Sequence, residues 1–243
     1  MTGCSLLWRA LLSPVIGFIF VLSFQASASL VITGTRIIYP SVQKEVTVKI
    51  DNAGKNPALY QSWIDAGNSE ISPDKIDVPF VITPPIGRIN PGKGQSLRLV
   101  YVGKGLPTDR ESVFWFNILE IPAEAEKSAA DLNVLKMAFR SRIKLFYRPA
   151  VLDKNVSFKD YLSIATMGDK LTVENRSPYY FSLVRIESTT GHKLQNFKGV
   201  MVAPFSKQSI SVDHNNKFSA DSQVTAYYID DYGAEVGIQT VIR

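Results

Sequence analysis

One cysteine and two histidines are all that 243 residues offer for thiol or imidazole chemistry. The cysteine, Cys4, lies at the extreme N-terminus. His192 stands in Thr190-Gly191-His192-Lys193 and His214 in Asp213-His214-Asn215-Asn216. Both contexts are polar and turn-like, and neither histidine has a second ligand at metal-binding spacing. They read as surface-loop histidines, so no metal and no cofactor is expected. No Gly-x-Ser-x-Gly elbow is present. Gly92-Lys93-Gly94 follows Asn90-Pro91 between strand signals, where a turn is expected rather than a phosphate loop opening a helix. The expectation is a protein that is not an enzyme. Sustained 3.6-residue periodicity is missing as well; the one marginal helical stretch is Ala123 to Ala130. Thirteen prolines and 15 glycines are too few for a collagen-like or linker chain, and 45% hydrophobic with 20% charged residues excludes wholesale disorder.

Long apolar runs are also absent, apart from one at the N-terminus, which excludes a polytopic membrane protein. Arg9 is the only charge before Arg36, Ala10 to Phe24 is almost wholly apolar, and Ala26-Ser27-Ala28 supplies the small–x–small pattern of a signal peptidase site. Residues 1–28 are therefore expected to be a cleaved signal peptide, with cleavage after Ala28 and no membrane insertion of the mature chain. Cys4 leaves with it, so the mature protein has no disulfide and depends on apolar cores. The formal charge of +5 loses one unit with Arg9. That mild basic excess gives little reason to expect a nucleic-acid partner, and secretion gives less.

What is present is strand grammar. Val46 to Ile50, Leu59 to Ile64, Phe80 to Thr83, Ser96 to Val102 and Val113 to Ile121 are strand signals separated by Gly, Pro and Asn clusters. After Arg148-Pro149-Ala150 the grammar restarts with Lys170 to Glu174, Tyr179 to Glu187, Gln208 to Val212, Gln223 to Ile229 and Glu235 to Ile242. Pro149 cannot donate to a central ladder and marks a strand end. The fold class is all-β, with two β-sandwich domains at 29–150 and 151–243.

Residues 133–148 stand apart. They predict a strand of about 16 residues, against ~5–6 for a typical one. Leu135, Met137, Phe139, Ile143, Leu145 and Tyr147 fall on one face; Lys136, Arg140, Arg142, Lys144 and Arg148 fall on the other. The basic face reads as solvated. The apolar N-terminal half overhangs its neighbours, and an exposed apolar edge is a liability unless a partner strand covers it.

These residues, with others, carry a family resemblance. The chain resembles the PapD-like periplasmic pilus chaperones of the chaperone–usher pathway. The matching pieces are Gly34-Thr35-Arg36-Ile37-Ile38-Tyr39-Pro40, Gln61-Ser62-Trp63, Val81-Ile82-Thr83-Pro84-Pro85, Leu106 to Asn117, Ile143 to Pro149 and Asp231-Tyr232-Gly233. The resemblance covers essentially all of the mature chain. It implies two immunoglobulin-like domains arranged as a boomerang, located in the periplasm, that bind pilus subunits and deliver them to an outer-membrane usher. It implies donor-strand complementation without ATP: the subunit lacks its last strand, and the chaperone lends one.

By position, the resemblance makes Leu135, Met137 and Phe139 the groove-filling residues. It makes Arg36 and Lys144 the anchor for the subunit's C-terminal carboxylate. It makes Glu111, Arg148 and Asp231 a structural salt bridge between the domains. Pro84-Pro85 matches a family turn that can hold a cis bond. No mature cysteine and a short connection from Pro122 to Leu132 resemble the short-loop subfamily, whose products are usually rod-like pili. Met137 and Phe139 depart from its usual all-aliphatic donor positions. The sequence leaves open whether the free chaperone self-associates through this exposed edge. The alternative is a secreted structural or adhesive β-sandwich binding protein, such as a pilin. A pilin would be one incomplete domain, typically with a disulfide.

Overall fold

The computed structural model describes residues 29–103, 105–121, 137–152, 157–167, 170–188, 199–211 and 221–243. In the first half these are β1 (Leu30–Ile32), β2 (Arg36–Pro40), β3 (Val46–Asn52), β4 (Ala58–Asp65), β5 (Phe80–Thr83), β6 (Ile86–Ile89), β7 (Gly94–Tyr101), β8 (Ser112–Ile121) and β9 (Phe139–Arg148). In the second they are β10 (Leu162–Met167), β11 (Lys170–Asn175), β12 (Phe181–Ser188), β13 (Val200–Val202), β14 (Ser206–Ser211), β15 (Gln223–Ile229) and β16 (Glu235–Val241). Among the described residues the helical elements are two single 3₁₀ turns, Pro73–Lys75 and Phe158–Asp160.

The strands form four sheets. Order β1-β3-β7-β5 faces order β2-β9-β8-β4-β6 in the first half; β10-β11-β14 and β13-β12-β15-β16 make the second. The cores follow from period-2 burial. Val48 and Ile50 of β3, Leu97 and Leu99 of β7, Phe114, Phe116 and Ile118 of β8, and Leu145 of β9 fill the first core. Leu171 and Val173 of β11, Phe181 and Leu183 of β12, and Val224 and Ala226 of β15 fill the second. A buried asparagine fixes a turn in each half. The Asn52 amide donates to the carbonyls of Asn56 and Ile89, and its oxygen accepts from Gly54 N–H. The Asn175 amide donates to Tyr179 and Ala203 carbonyls, while its oxygen accepts from Ser177.

Several strand expectations shift. β1, β2, β6, β10 and β13 are added; most are three to five residues, too short for periodicity to register. The chain crosses from β1 in one sheet to β2 in the other through Gly34, whose φ of 98° suits only glycine well. Strand β12 starts at Phe181 rather than Tyr179, because the Tyr180 N–H is turned out of the ladder to donate to the Glu111 carboxylate. Strand β9 begins at Phe139, later than the long strand expected from 133; Met137 and Ala138 precede it outside any ladder, and 133–136 lie outside the described residues. So do His192, His214, the Ala123–Ala130 stretch and residues 1–28. The Thr83–Pro84 bond is cis.

Candidate functional site

Strand β9 is paired unequally on its two sides. Against β8 it is antiparallel over its whole length, from Phe139↔Glu120 to Tyr147↔Ser112. Against β2 it is parallel, and only from Lys144 to Arg148. Among the described residues, nothing pairs with the β2-side edge of Phe139 to Ile143, so that stretch presents unmatched N–H and C=O groups. Phe139 is 45% exposed and Met137 54% exposed, beside this open edge. Leu135 lies outside the described residues.

The open stretch ends at a pair of cations. The parallel register sets Arg36, the first residue of β2, directly beside Lys144. Arg36 Nη1 donates to the Ile229 carbonyl of the second sandwich at 2.8 Å, and its guanidinium lies 5.9 Å from the Phe146 ring centre. Its Nε is buried without a hydrogen-bond partner. Lys144 Nζ is 3.3 Å from Ser182 Oγ. Burial pulls the Arg36 guanidinium below its ordinary value, partly offset by Asp231, Asp230 and Glu111. Burial also pulls Lys144 down, and the neighbouring Arg36 adds to it. Two half-buried cations side by side, each held below its usual basicity, would both be stabilised by an arriving anion. A cleft of about 190 Å³ opens beside Arg36, lined by Phe146, Tyr180, Tyr228, Ile229 and Asp231 among others.

Behind that pair, a charged bridge joins the two sandwiches. Arg148 Nε donates to Glu111 Oε1 at 2.7 Å, and its Nη atoms reach both Asp231 oxygens at 2.6 and 2.8 Å. Glu111 also accepts from Tyr180 N–H at 2.8 Å, and its own N–H donates to the Pro178 carbonyl. Burial pushes the Glu111 carboxyl up, against Arg148 and the Tyr180 N–H, which pull it down. Burial pulls Arg148 down, but its bonds to Asp231 and Glu111 outweigh this and raise it.

The basic face of β9 is only partly solvated: Arg140 is exposed, but Arg142, Lys144 and Arg148 are half-buried. Arg142 lies 4.7 Å over the Trp115 ring and donates to Asp65, whose side chain is 2% exposed. Arg140 lies 4.8 Å over Trp63 and donates to Asn117 Oδ1 at 2.7 and 3.0 Å. Asn117 in turn donates to Asp65 Oδ2 at 2.8 Å. Burial pushes the Asp65 carboxyl up, but hydrogen bonds from Arg142, Asn117 and Gly67 N–H outweigh it and hold it below the ordinary value. Phe146 also departs from the alternation. It sits on the basic face yet is buried, against Tyr180 at 5.8 Å. Sequence reasoning missed this Arg–Trp–Asp layer, although Trp63, Trp115 and Asn117 all lay within the motifs that carried the resemblance. The visible signal was two arginines two residues apart on one strand, with a tryptophan in each of two other strand signals.

Among the described residues, no group of three His, Cys, Asp or Glu side chains is placed to hold a metal ion, and no helix is long and apolar enough to cross a membrane.

Two β-sandwiches bridged by buried charge, with one half-open sheet edge leading to paired cations, define a two-domain immunoglobulin-like protein with an unfilled strand position. The sequence comparisons agree with this architecture. Residues 29–153 match the family model described as pili and flagellar-assembly chaperone, PapD N-terminal domain, and residues 157–240 match the pili assembly chaperone PapD, C-terminal domain. The chain belongs to the PapD-like family of pilus-assembly chaperones. It is 40% identical over 229 residues to the chaperone protein MrkB of Klebsiella pneumoniae, covering 93% of this chain and 97% of that one. Among solved structures it is similar to the Pseudomonas aeruginosa CupB2 chaperone, at 35% identity and TM-score 0.73, over 88% of this chain and 100% of that one. It is also similar to the Salmonella enterica SafB chaperone, solved in complex with the SafA pilin, at 27% identity and TM-score 0.73, over 90% and 98%.

Proposed function

We propose that this protein is a periplasmic chaperone that holds pilus subunits through β9 and passes them to an outer-membrane usher. The observation that carries the reading is the direct continuity between the open edge of β9 and the Arg36–Lys144 pair. An extended chain laid along that edge parallel to β9 would end where β2 begins. Its C-terminal carboxylate would then meet both cations, in charge-assisted hydrogen bonds of about 1.5–3 kcal/mol each. Clamping the terminus fixes register, because a one-residue slip would turn every side chain to the opposite face. Leu135, Met137 and Phe139 fill the subunit's groove. Burying such a side chain fully contributes about 1.5–3 kcal/mol.

Glu111, Arg148 and Asp231 hold the two domains, 29–150 and 151–243, in one geometry so that the cleft keeps its shape. Residues 1–28 are the export signal, removed after Ala28. No catalytic residue, metal or cofactor takes part, and ATP is not used: the subunit's own folding onto β9 drives the complex. The same open edge could also take a strand from a second copy of the free chaperone. Relatives are named as fimbrial chaperones, and one was solved with a pilin, which supports the reading.

The test is native mass spectrometry of periplasmic extract after co-expression with a pilin from the same source. Wild type should give a 1:1 complex, and folded Lys144→Ala should give none. A complex in both would move the anchor elsewhere. Failure of wild type with every pilin of that source would overturn the chaperone reading.

A further inference from the structure

The first described residue, Ser29, is more tightly held than a chain end needs to be. Its carbonyl accepts from Ala53 N–H at 2.7 Å, and it packs so close to Gly54 that a Cβ there would come within 2.5 Å of Ser29 Cβ. Its nitrogen donates to Glu120 Oε2 at 3.2 Å, its hydroxyl donates to Oε1, and Leu30 N–H donates to Oε2 at 3.2 Å. Glu120 thus receives three donors from the start of the chain. Among the described residues no lysine or arginine forms an ion pair with it. A half-buried carboxylate that accepts from two backbone N–H groups and a hydroxyl lacks only a positive charge.

We propose that removal of the signal peptide supplies that charge. The inference rests on cleavage after Ala28. Water adds across the Ala28–Ser29 peptide bond; Ala28 leaves with the new carboxylate, and Ser29 N becomes an α-ammonium seated on Glu120. The ammonium turns a hydrogen bond between a neutral amide and a carboxylate into a hydrogen-bonded ion pair. The location gives the pair a role. Ser29 leads into β1 in one sheet, while Glu120 lies on β8 in the other, opposite Phe139 of β9. The pair staples the two sheets where the open edge of β9 begins. Leu30, Ile118, Glu120, Phe139 and Ser141 line one small recess there. Processing therefore finishes the subunit-binding end of the sandwich, and the mature N-terminus must begin at Ser29 for its charge to reach Glu120.

The experiment uses protein purified from the periplasm. Intact mass first reads the N-terminus; any start other than Ser29 overturns the proposal through its premise, whatever the pilin-binding result. With a Ser29 start, hydrogen exchange of the β1 amides and Ala53 is compared between wild type and a variant with one glycine inserted between Ala28 and Ser29. The insertion moves the ammonium outward without touching Glu120. It should speed exchange about three- to tenfold. Glu120→Gln should do the same, and the insertion in that background should add nothing. Unchanged exchange on insertion, or equal acceleration by the insertion when Glu120→Gln is already present, would overturn the pair. Pilin capture by the same samples reports on the chaperone reading separately.

Discussion

Arg36 and Lys144 are 108 positions apart in sequence and adjacent in the parallel ladder between β2 and β9. Neither forms an ion pair with an acidic side chain among the described residues, and burial makes both less willing to carry charge. A site so arranged favours a single-charge anion that can accept from both.

A peptide copying a pilin's C-terminal strand should show this directly. With a free carboxylate it should bind at least tenfold more tightly than its amidated form, since one charge-assisted contact is worth about 1.5–3 kcal/mol. Titration calorimetry of the two peptides checks it; equal affinities would remove the carboxylate from the account. Lys144→Ala should lose the preference while the free protein keeps or slightly gains thermal stability, because a burdened cation is removed.

Met137→Glu and Phe139→Glu should weaken pilin capture by one to two orders of magnitude, by setting a charge in an apolar groove. Both side chains are about half exposed in the free protein, so its unfolding midpoint should hardly move. Circular dichroism melts beside pull-downs separate the two effects.

Arg148→Ala should be far more damaging to the fold. The Arg148 side chain is 11% exposed and that of Glu111 2%, so the change strands a buried carboxylate. A loss of about 3–5 kcal/mol is expected in urea unfolding. Asp231, at 38% exposed, should cost much less when replaced by Asn.

Asp65 sets an acid limit on stability. Its folded pKa lies below the ordinary value, so its contribution is complete above the unfolded value of about 3.9 and is lost as pH falls through the folded one. Asp65→Asn should flatten the fall in stability between about pH 4 and pH 2. Arg142→Ala should shift that fall to higher pH, because it removes the strongest of the interactions holding the carboxyl down. Denaturant midpoints measured across pH test both.

Much of the fold was legible locally. Strands such as β3, β5, β7, β15 and β16 lie close to where alternation and turn residues put them, because a half-buried strand must alternate and a break needs Gly, Pro or Asn. The short strands were not legible. Three residues such as Leu30–Ile32 have no period to read, and their conformation is imposed by β3. The candidate anchor residues Arg36 and Lys144 were reached through the family motifs rather than through pattern, since an isolated arginine and lysine look like any surface pair.

The sequence by itself determined an all-β chain in two halves and a strand with apolar and basic residues on opposite faces. These are properties of neighbours, written in spacing two or three residues long. Tertiary structure decided what that basic face is for. Arg140 and Arg142 lie over Trp63 and Trp115, with Arg142 bonded to Asp65; Arg148 closes the bridge to Asp231; Lys144 alone is left beside Arg36. Cations that share one strand face acquire different roles, because each role depends on which distant carboxylate or ring the sheets bring within about 3–5 Å, and charge interactions are set by that separation rather than by sequence distance.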